Sequence, residues 1–236
     1  MNGNYNNFTI FRAQNNPDLE CIQVDDAAYS QSNWANKDAG ASFSVDCSPV
    51  WCTVDIPDVA FKNYLIDNFD INTNEDDKIQ CLEAAAFNGT LDMNGLGISD
   101  LTGIEAFTAI TALWSSNNQL SSLDVSSNTA LTDLRCGLNP ELTSLDISGN
   151  PAITTLFCQD NQLQTLNVKN GNNTNFTTFN AQNNPELACI QVDDAAYSQS
   201  NWTDDVDAEV IFSEDCSAAL CIIEIPDVIF KNYLVG

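Results

Sequence analysis

Oxygen-bearing groups recur at every second residue in NTNEDDKIQCLE, residues 72–83: Asn72, Asn74 and Asp76, then the peptide carbonyl of Lys78, and Glu83 at the twelfth position. Alternating oxygens followed by a carboxylate that binds through both its oxygens are the donor set a hard cation such as calcium requires. The nine cysteines offer a second chemistry, oxidative cross-linking, and the adjacent pairs Asp25/Asp26, Asp193/Asp194 and Asp204/Asp205 suggest a third, acid–base catalysis. That third reading fails on geometry, because neighbouring residues of an extended chain point to opposite faces and cannot flank one bond. These carboxylates read as solvated charge or as further calcium ligands. With no histidine, no GxSxG elbow and no glycine-rich phosphate loop, the chain is not expected to be an enzyme.

The 72–83 stretch resembles the EF-hand loop, with Ile79 at the eighth position, where an apolar residue anchors the loop. Asn72 stands where that loop begins with Asp, and Asp77 stands where glycine makes its sharp turn, so both departures lower affinity. Two readings follow: a weak calcium site that millimolar extracellular calcium fills, or a polar connection between two helices. The preceding segment IPDVAFKNYLID carries helix signals, with Pro57 at its start and Phe61/Leu65 and Ala60/Tyr64 four residues apart.

The central stretch supplies the framework. LWSSNNQL (113–120), LRCGLNPEL (134–142), LFCQDNQL (156–163) and FNAQNNPEL (179–187) share the form LxCxxNxL at spacings of 21, 22 and 23 residues. Between them lie LDVSSN (123–128), LDISGN (145–150) and LNVKNG (166–171), and residues 91–107 read as a first, divergent repeat. Residues two apart in a strand share a face, so Leu113/Ser115, Leu134/Cys136 and Leu156/Cys158 point inward together. One coil cannot cover such a row, but stacked coils cover one another. This predicts a leucine-rich-repeat solenoid, β-rich, with short parallel strands and few helices. Asn118, Asn139, Asn161 and Asn184 turn the chain out of each strand and bond the backbone of the next coil. Cys136 and Cys158 alternate with Ser115 and Ala181, which suits buried free thiols; zinc is the alternative, without histidine or paired CxxC spacing to support it. The middle residue of each strand faces away from the core. Asp92, Trp114, Arg135, Phe157 and Asn180 therefore form a ligand-binding row on a concave face, unless another segment covers it.

The chain also repeats itself on a longer scale. NFTIFRAQNNPDLECIQVDDAAYSQSNW (7–34) returns with four changes at 175–202, and after one inserted residue Cys47 matches Cys216, Cys52 matches Cys221, and IPDVAFKNYL (56–65) matches 225–234. The expected organisation is the end and cap of a preceding unit (1–51), an EF-hand-like helix-loop-helix N-terminal cap (52–90), leucine-rich repeats (91–187), a closing cap (188–217) and the start of a following unit (218–236), as in a piece of a longer array. Trp34, Trp202, Tyr29 and Tyr197 read as cap packing. Seven basic residues against thirty-three acidic ones, a net charge of −26, disfavour nucleic acid and anionic membrane surfaces. No apolar run is long enough to span a bilayer.

ISDLTGIEAF, LTDLRCGLNPELTSLDISGN and CIQVDDAAYSQSNW…FSEDC resemble bacterial surface leucine-rich-repeat proteins related to the internalins, in forms with 21-residue cysteine-ladder repeats and of flavobacterial multi-repeat type. The resemblance implies secretion or surface display and adhesive binding of an extracellular protein or polysaccharide, beside neighbouring homologous units. The alternative is a non-binding spacer unit in a repetitive surface protein. Disulfides are expected at Cys21–Cys47 and Cys189–Cys216, which bracket the closing motif in its two copies, and at Cys52–Cys81 across the helical stretch; Cys221 is then left over.

Overall fold

A computed structural model describes residues 11–16, 19, 21–45, 47 and 52–217. The chain divides into two compact units, one drawing on residues up to Asp55 and on Leu65–Phe87, the other on Ile56–Tyr64 and the chain from Asn88 onward. Cys221, the second IPDV segment and the rest of the expected following unit lie outside the described residues.

In the first unit, strands β1 (Cys21–Gln23) and β2 (Ser42–Ser44) pair in parallel around helix α1 (Ala27–Asn33). Asp26 starts that helix by accepting a hydrogen bond from Tyr29 N at 2.9 Å. Phe11, Tyr29, Trp34 and Phe43 close into an aromatic core, with Phe11 and Trp34 stacked at 4.9 Å. Helix α2 (Val59–Ile66), which lies mostly in the second unit's Ile56–Tyr64 segment, and helix α3 (Cys81–Ala86) precede and follow the 67–80 loop in the chain. Phe61 and Leu65 are fully buried, as their spacing requires. The chain enters α2 after Pro57, not at it: Asp58 Oδ1 accepts from the amides of Ala60 and Phe61, which makes Asp58 the capping residue and puts the proline just outside.

The second unit is a stack of coils. Strands β3 (Thr90–Asp92), β4 (Ala112–Trp114), β5 (Asp133–Arg135), β7 (Thr155–Phe157) and β9 (Thr178–Asn180) pair in parallel, in that order. On the other side of the coils from β5 onward, β6 (Ser144–Asp146), β8 (Thr165–Asn167), β10 (Cys189–Gln191) and β11 (Ile211–Ser213) form a second parallel sheet. Leu91, Leu113, Leu134, Leu156 and Phe179 meet from the first sheet, and Leu145, Leu166, Ile190 and Phe212 from the second; each is under one-tenth exposed. Full burial of such a side chain stabilises by about 1.5–3 kcal/mol, and none could be buried by its own coil. The closing segment carries helix α4 (Ala195–Asn201) between β10 and β11, so it extends the second sheet by two strands.

The asparagine column is buried and reaches backward. Asn139 Oδ1 accepts from Leu120 N at 3.1 Å, and its Nδ2 donates to Ser115 O and to Cys136 O. Asn161 and Asn184 bond in the same way one and two coils later, their Oδ1 atoms accepting from Asn139 N and Leu163 N. The partners belong to the preceding coil and the residue's own, where the sequence pattern suggested the next coil. The side chain follows the strand it terminates and folds back over the groups that the turn has left open.

All three expected disulfides are formed: Cys21–Cys47, Cys52–Cys81 and Cys189–Cys216. Cys136 and Cys158 are free and buried. Burial pushes the Cys136 thiol up to about 12, and burial together with Cys136 raises Cys158 as well, so both remain protonated fillers of the ladder.

Asp58 does more than cap. Its Oδ2 accepts from Ser99 N and Oγ and from Asp100 N, joining the start of α2 to the first coil. Burial acts to raise its pKa, but the hydrogen bonds from Ser99, Phe61 and Ala60 outweigh it and hold the carboxyl below its usual value. A depressed folded-state pKa means stability that is present above the unfolded value near 3.9 and lost as pH falls through the folded one. Asp58→Ala is expected to cost about 1–2 kcal/mol at neutral pH. Thermal melts of parent and variant should then converge as the pH is lowered past Asp58's depressed value.

Candidate functional site

The outer face of the five-stranded sheet is read in register. Asp92 pairs with Trp114, Trp114 with Arg135, Arg135 with Phe157 and Phe157 with Asn180, so the five residues chosen from sequence lie in one row at about 4.8 Å per strand. Asp92 is exposed and the other four are half-buried. The guanidinium of Arg135 lies 4.4 Å from the centroid of the Trp114 ring and 5.3 Å from that of Phe157, a cation held between two π faces. Asp133, two residues earlier on the same face, takes Nε at 3.0 Å and Nη2 at 2.8 Å. This pairing, with Asp92 nearby, raises the Arg135 pKa further, so the charge is permanent.

Two features of this face escaped the sequence reading. Asp133 orients Arg135; its two-residue spacing from Arg135 was the available signal. Leu138 adopts φ 59°, the left-handed region, where Asn117, Asp160 and Asn183 stand in the neighbouring coils, and it is 48% exposed. A leucine in that conformation is strained by about 1–2 kcal/mol, and it broke a visible column of Asn and Asp. Trp114 Nε1 is buried without a hydrogen-bond partner.

The oxygen-rich loop is also defined. Ile79 is buried and its carbonyl accepts from Val54 N, so the apolar anchor at the eighth position is in place. The left-handed residue, however, is Glu75, at φ 60°, and not Asp77, so the sharp turn comes at the fourth position and the backbone path differs from the EF-hand pattern. Glu83 Oε1 accepts from Thr73 N and Oγ1 and from Asn74 N, while Oε2 accepts from Gln80 N. Asp76 accepts from Lys78 N, Asn74 Nδ2 and Gln80 Nε2. Asn72 is 2% exposed; its Nδ2 donates to Ile66 O and Asp76 O, and its Oδ1 has no partner. The donor set is all oxygen and one buried acceptor is orphaned, which fits a hard cation. Such an ion has to compete with the chain's own amides for Glu83. Among the described residues no group of three or more His, Cys, Asp or Glu side chains is placed to hold a metal.

Three of the paired aspartates, Asp26, Asp193 and Asp194, have structural partners. Asp194 caps α4 through Tyr197 N, and Asp193 accepts from the amides of Gly171 and Asn173. Asp26 caps α1 in the earlier copy. These carboxylates are therefore neither merely solvated charge nor free oxygen ligands, because turns and helix starts leave amides that need acceptors. Among the described residues no helix is long and apolar enough to cross a membrane.

With this geometry established, comparison with known proteins places the repeats. Residues 78–184, somewhat less than half the chain, match the family described as the endo-beta-N-acetylglucosaminidase EndoS LRR domain. No curated protein matches the chain. Among solved structures it is similar to the functional domain of InlJ from Listeria monocytogenes, which includes a cysteine ladder, at 26% identity and a TM-score of 0.37, over 59% of this chain and 38% of that one. It is also similar to internalin C2 from Listeria monocytogenes str. 4b F2365, at 17% identity and a TM-score of 0.41, over 71% of this chain and 91% of that one. An internalin, InlF, from the same strain is 16% identical with a TM-score of 0.43, over 66% of this chain and 55% of that one. The chain thus spans little more than a third of the InlJ domain and about half of InlF. The coils between Thr90 and Asn180 have a leucine-rich-repeat-type fold, with parallel strands and few helices.

Proposed function

We propose that the second unit is a recognition module that binds an extracellular protein or glycan through the row Asp92, Trp114, Arg135, Phe157 and Asn180. The observation that carries this reading is the Arg135 guanidinium between two aromatic faces on an open sheet surface. Trp and Arg are the types enriched where a few residues supply most of a binding energy, and here both, with a second aromatic, are half-buried at rest and pre-ordered by neighbours. The strained, exposed Leu138 supports it, since strain is retained where a surface is used. The three disulfides support a location outside the cell, secreted or at its surface. A screen of the full chain against glycans and surface proteins tests the reading. A saturable partner is expected; none, with or without calcium, favours the spacer.

Calcium at the 72–83 loop belongs to the same proposal, with Asn72, Asn74, Asp76, the Lys78 carbonyl and Glu83 as its ligands; the orphaned Asn72 Oδ1 supports it. Competition with four hydrogen bonds at Glu83 makes the affinity weak, on the order of millimolar. About 10 mM calcium should then stabilise the fold by about 1.4 kcal/mol. Thermal melts with and without calcium read this directly, and the increment should vanish in Glu83→Gln. An unchanged melt in calcium leaves the loop as a connection only.

A further inference from the structure

The closing segment contains an aromatic cleft that the recognition row does not use. Phe176, Phe179, Tyr197 and Trp202 line an opening of about 300 Å³, with Asp205 and Asn201 at its edge. Phe179 and Trp202 stack at 4.5 Å, Tyr197 stands edge-on to Trp202 at 6.2 Å, and Phe176 lies 5.4 Å from Trp202. Trp202 and Phe179 are buried, whereas Phe176, Tyr197 and Asp205 are half-exposed and reachable. We propose that this cleft binds a small quaternary ammonium cation, its alkyl groups against the half-exposed rings of Phe176 and Tyr197 and its charge compensated by Asp205.

The chemistry narrows the ligand class. Aromatic faces attract a cation that sheds water cheaply, and a carboxylate at the edge compensates the charge without demanding an oxygen shell. A metal ion prefers several oxygens to π faces. The Asp205 carboxyl is already penalised by burial and by its neighbour Asp204, so an arriving cation relieves both. The net charge of −26 raises the local concentration of any cation.

The earlier copy of the motif is an internal control. Phe11 stacks on Trp34 at 4.9 Å and Tyr29 stands edge-on at 6.2 Å, nearly the same ring geometry. Yet Asn36 occupies the position of Asp205: Asn36 O accepts from Ala13 N as Asp205 O accepts from Ala181 N. The next residue is Lys37, whose Nζ lies 5.9 Å from the Phe43 centroid, where the later copy has Val206. One copy brings its own cation to its aromatic cluster; the other brings a carboxylate instead.

Titration of the full chain with choline chloride, followed through the indole N–H resonance of Trp202, tests this. A saturable shift is expected at Trp202, about tenfold weaker at Trp34, and about tenfold weaker when the neutral carbon isostere of choline replaces choline. Asp205→Asn, which copies the earlier motif, and Tyr197→Leu should each weaken binding about tenfold without lowering the melting temperature by more than a few degrees. No saturable shift, an equal response to the neutral isostere, or undiminished binding by a folded Asp205→Asn chain each overturns the proposal. The isostere comparison needs no variant, so it decides the matter even if a substitution disturbs the cap.

Discussion

Asn139→Ala should destabilise the repeats by about 3–5 kcal/mol, more than any other single substitution considered above. The side chain satisfies three buried backbone groups, the amide of Leu120 and the carbonyls of Ser115 and Cys136. Alanine leaves the Leu120 amide without a partner in a place water does not reach, at about 1–3 kcal/mol, and removes one of two donors from each carbonyl, Asn118 Nδ2 remaining at Ser115 O and Asn161 Nδ2 at Cys136 O. Aspartate is no remedy, since it keeps the acceptor, loses the donors and buries a charge. Asn128 gives a graded comparison: its Nδ2 donates to Ile104 O and Phe107 O, but its Oδ1 is unpaired. Asn128→Ala should therefore cost less, about 2–3 kcal/mol. Urea unfolding, with hydrogen exchange across residues 112–167 as the local reporter, measures both. Equal costs, or a cost at Asn139 below about 1 kcal/mol, mean that apolar stacking alone holds the coils.

The second large effect is on binding. Arg135→Ala should weaken the partner found in the screen by about 30-fold or more, the loss expected of a central anchor. The side chain contributes a flat face that stacks on Trp114 and Phe157, and Asp133 fixes its orientation before any partner arrives. Lysine keeps the charge but not the plane, so Arg135→Lys should recover only a minor part of the loss. Stability should change little, because the ion pair with Asp133 is only partly buried and remains in reach of water, where such pairs contribute weakly. Surface plasmon resonance with the parent and both variants reads the ranking.

The coil period was legible because its determinants are local. Leucine at a fixed strand position and asparagine five residues later, as in Leu113 and Asn118 or Leu134 and Asn139, recur through insertions of one residue, and the register at Trp114, Arg135 and Phe157 follows once the leucines align. The cysteine pairs were legible from the duplication. The direction of the asparagine bonds was not, since sequence shows the column but not which amides each turn leaves open. Asp193, Asp194 and Asp207 were misread or passed over for the same reason. Asp207 holds the amides of Asn183 and Asn184, as Asp38 holds those of Asn15 and Asn16 in the other copy, across a separation that no local pattern reveals. The single inserted residue that shifts the duplication from one offset to the next falls beside the short turn Thr203–Asp205. The carboxylate at the cleft in one copy only is a separate difference beside that insertion, since Asp205 stands where the earlier copy has Asn36.

The central claim is that the outer row of the first sheet is a binding surface. Its most direct test measures the affinity of the full chain for the screened partner beside a Trp114→Ala, Arg135→Ala, Phe157→Ala triple variant, with a thermal melt of each. Affinity reduced at least about 100-fold in a variant that melts within a few degrees of the parent is the predicted result. Undiminished affinity in the same folded variant contradicts the account and moves recognition off this face.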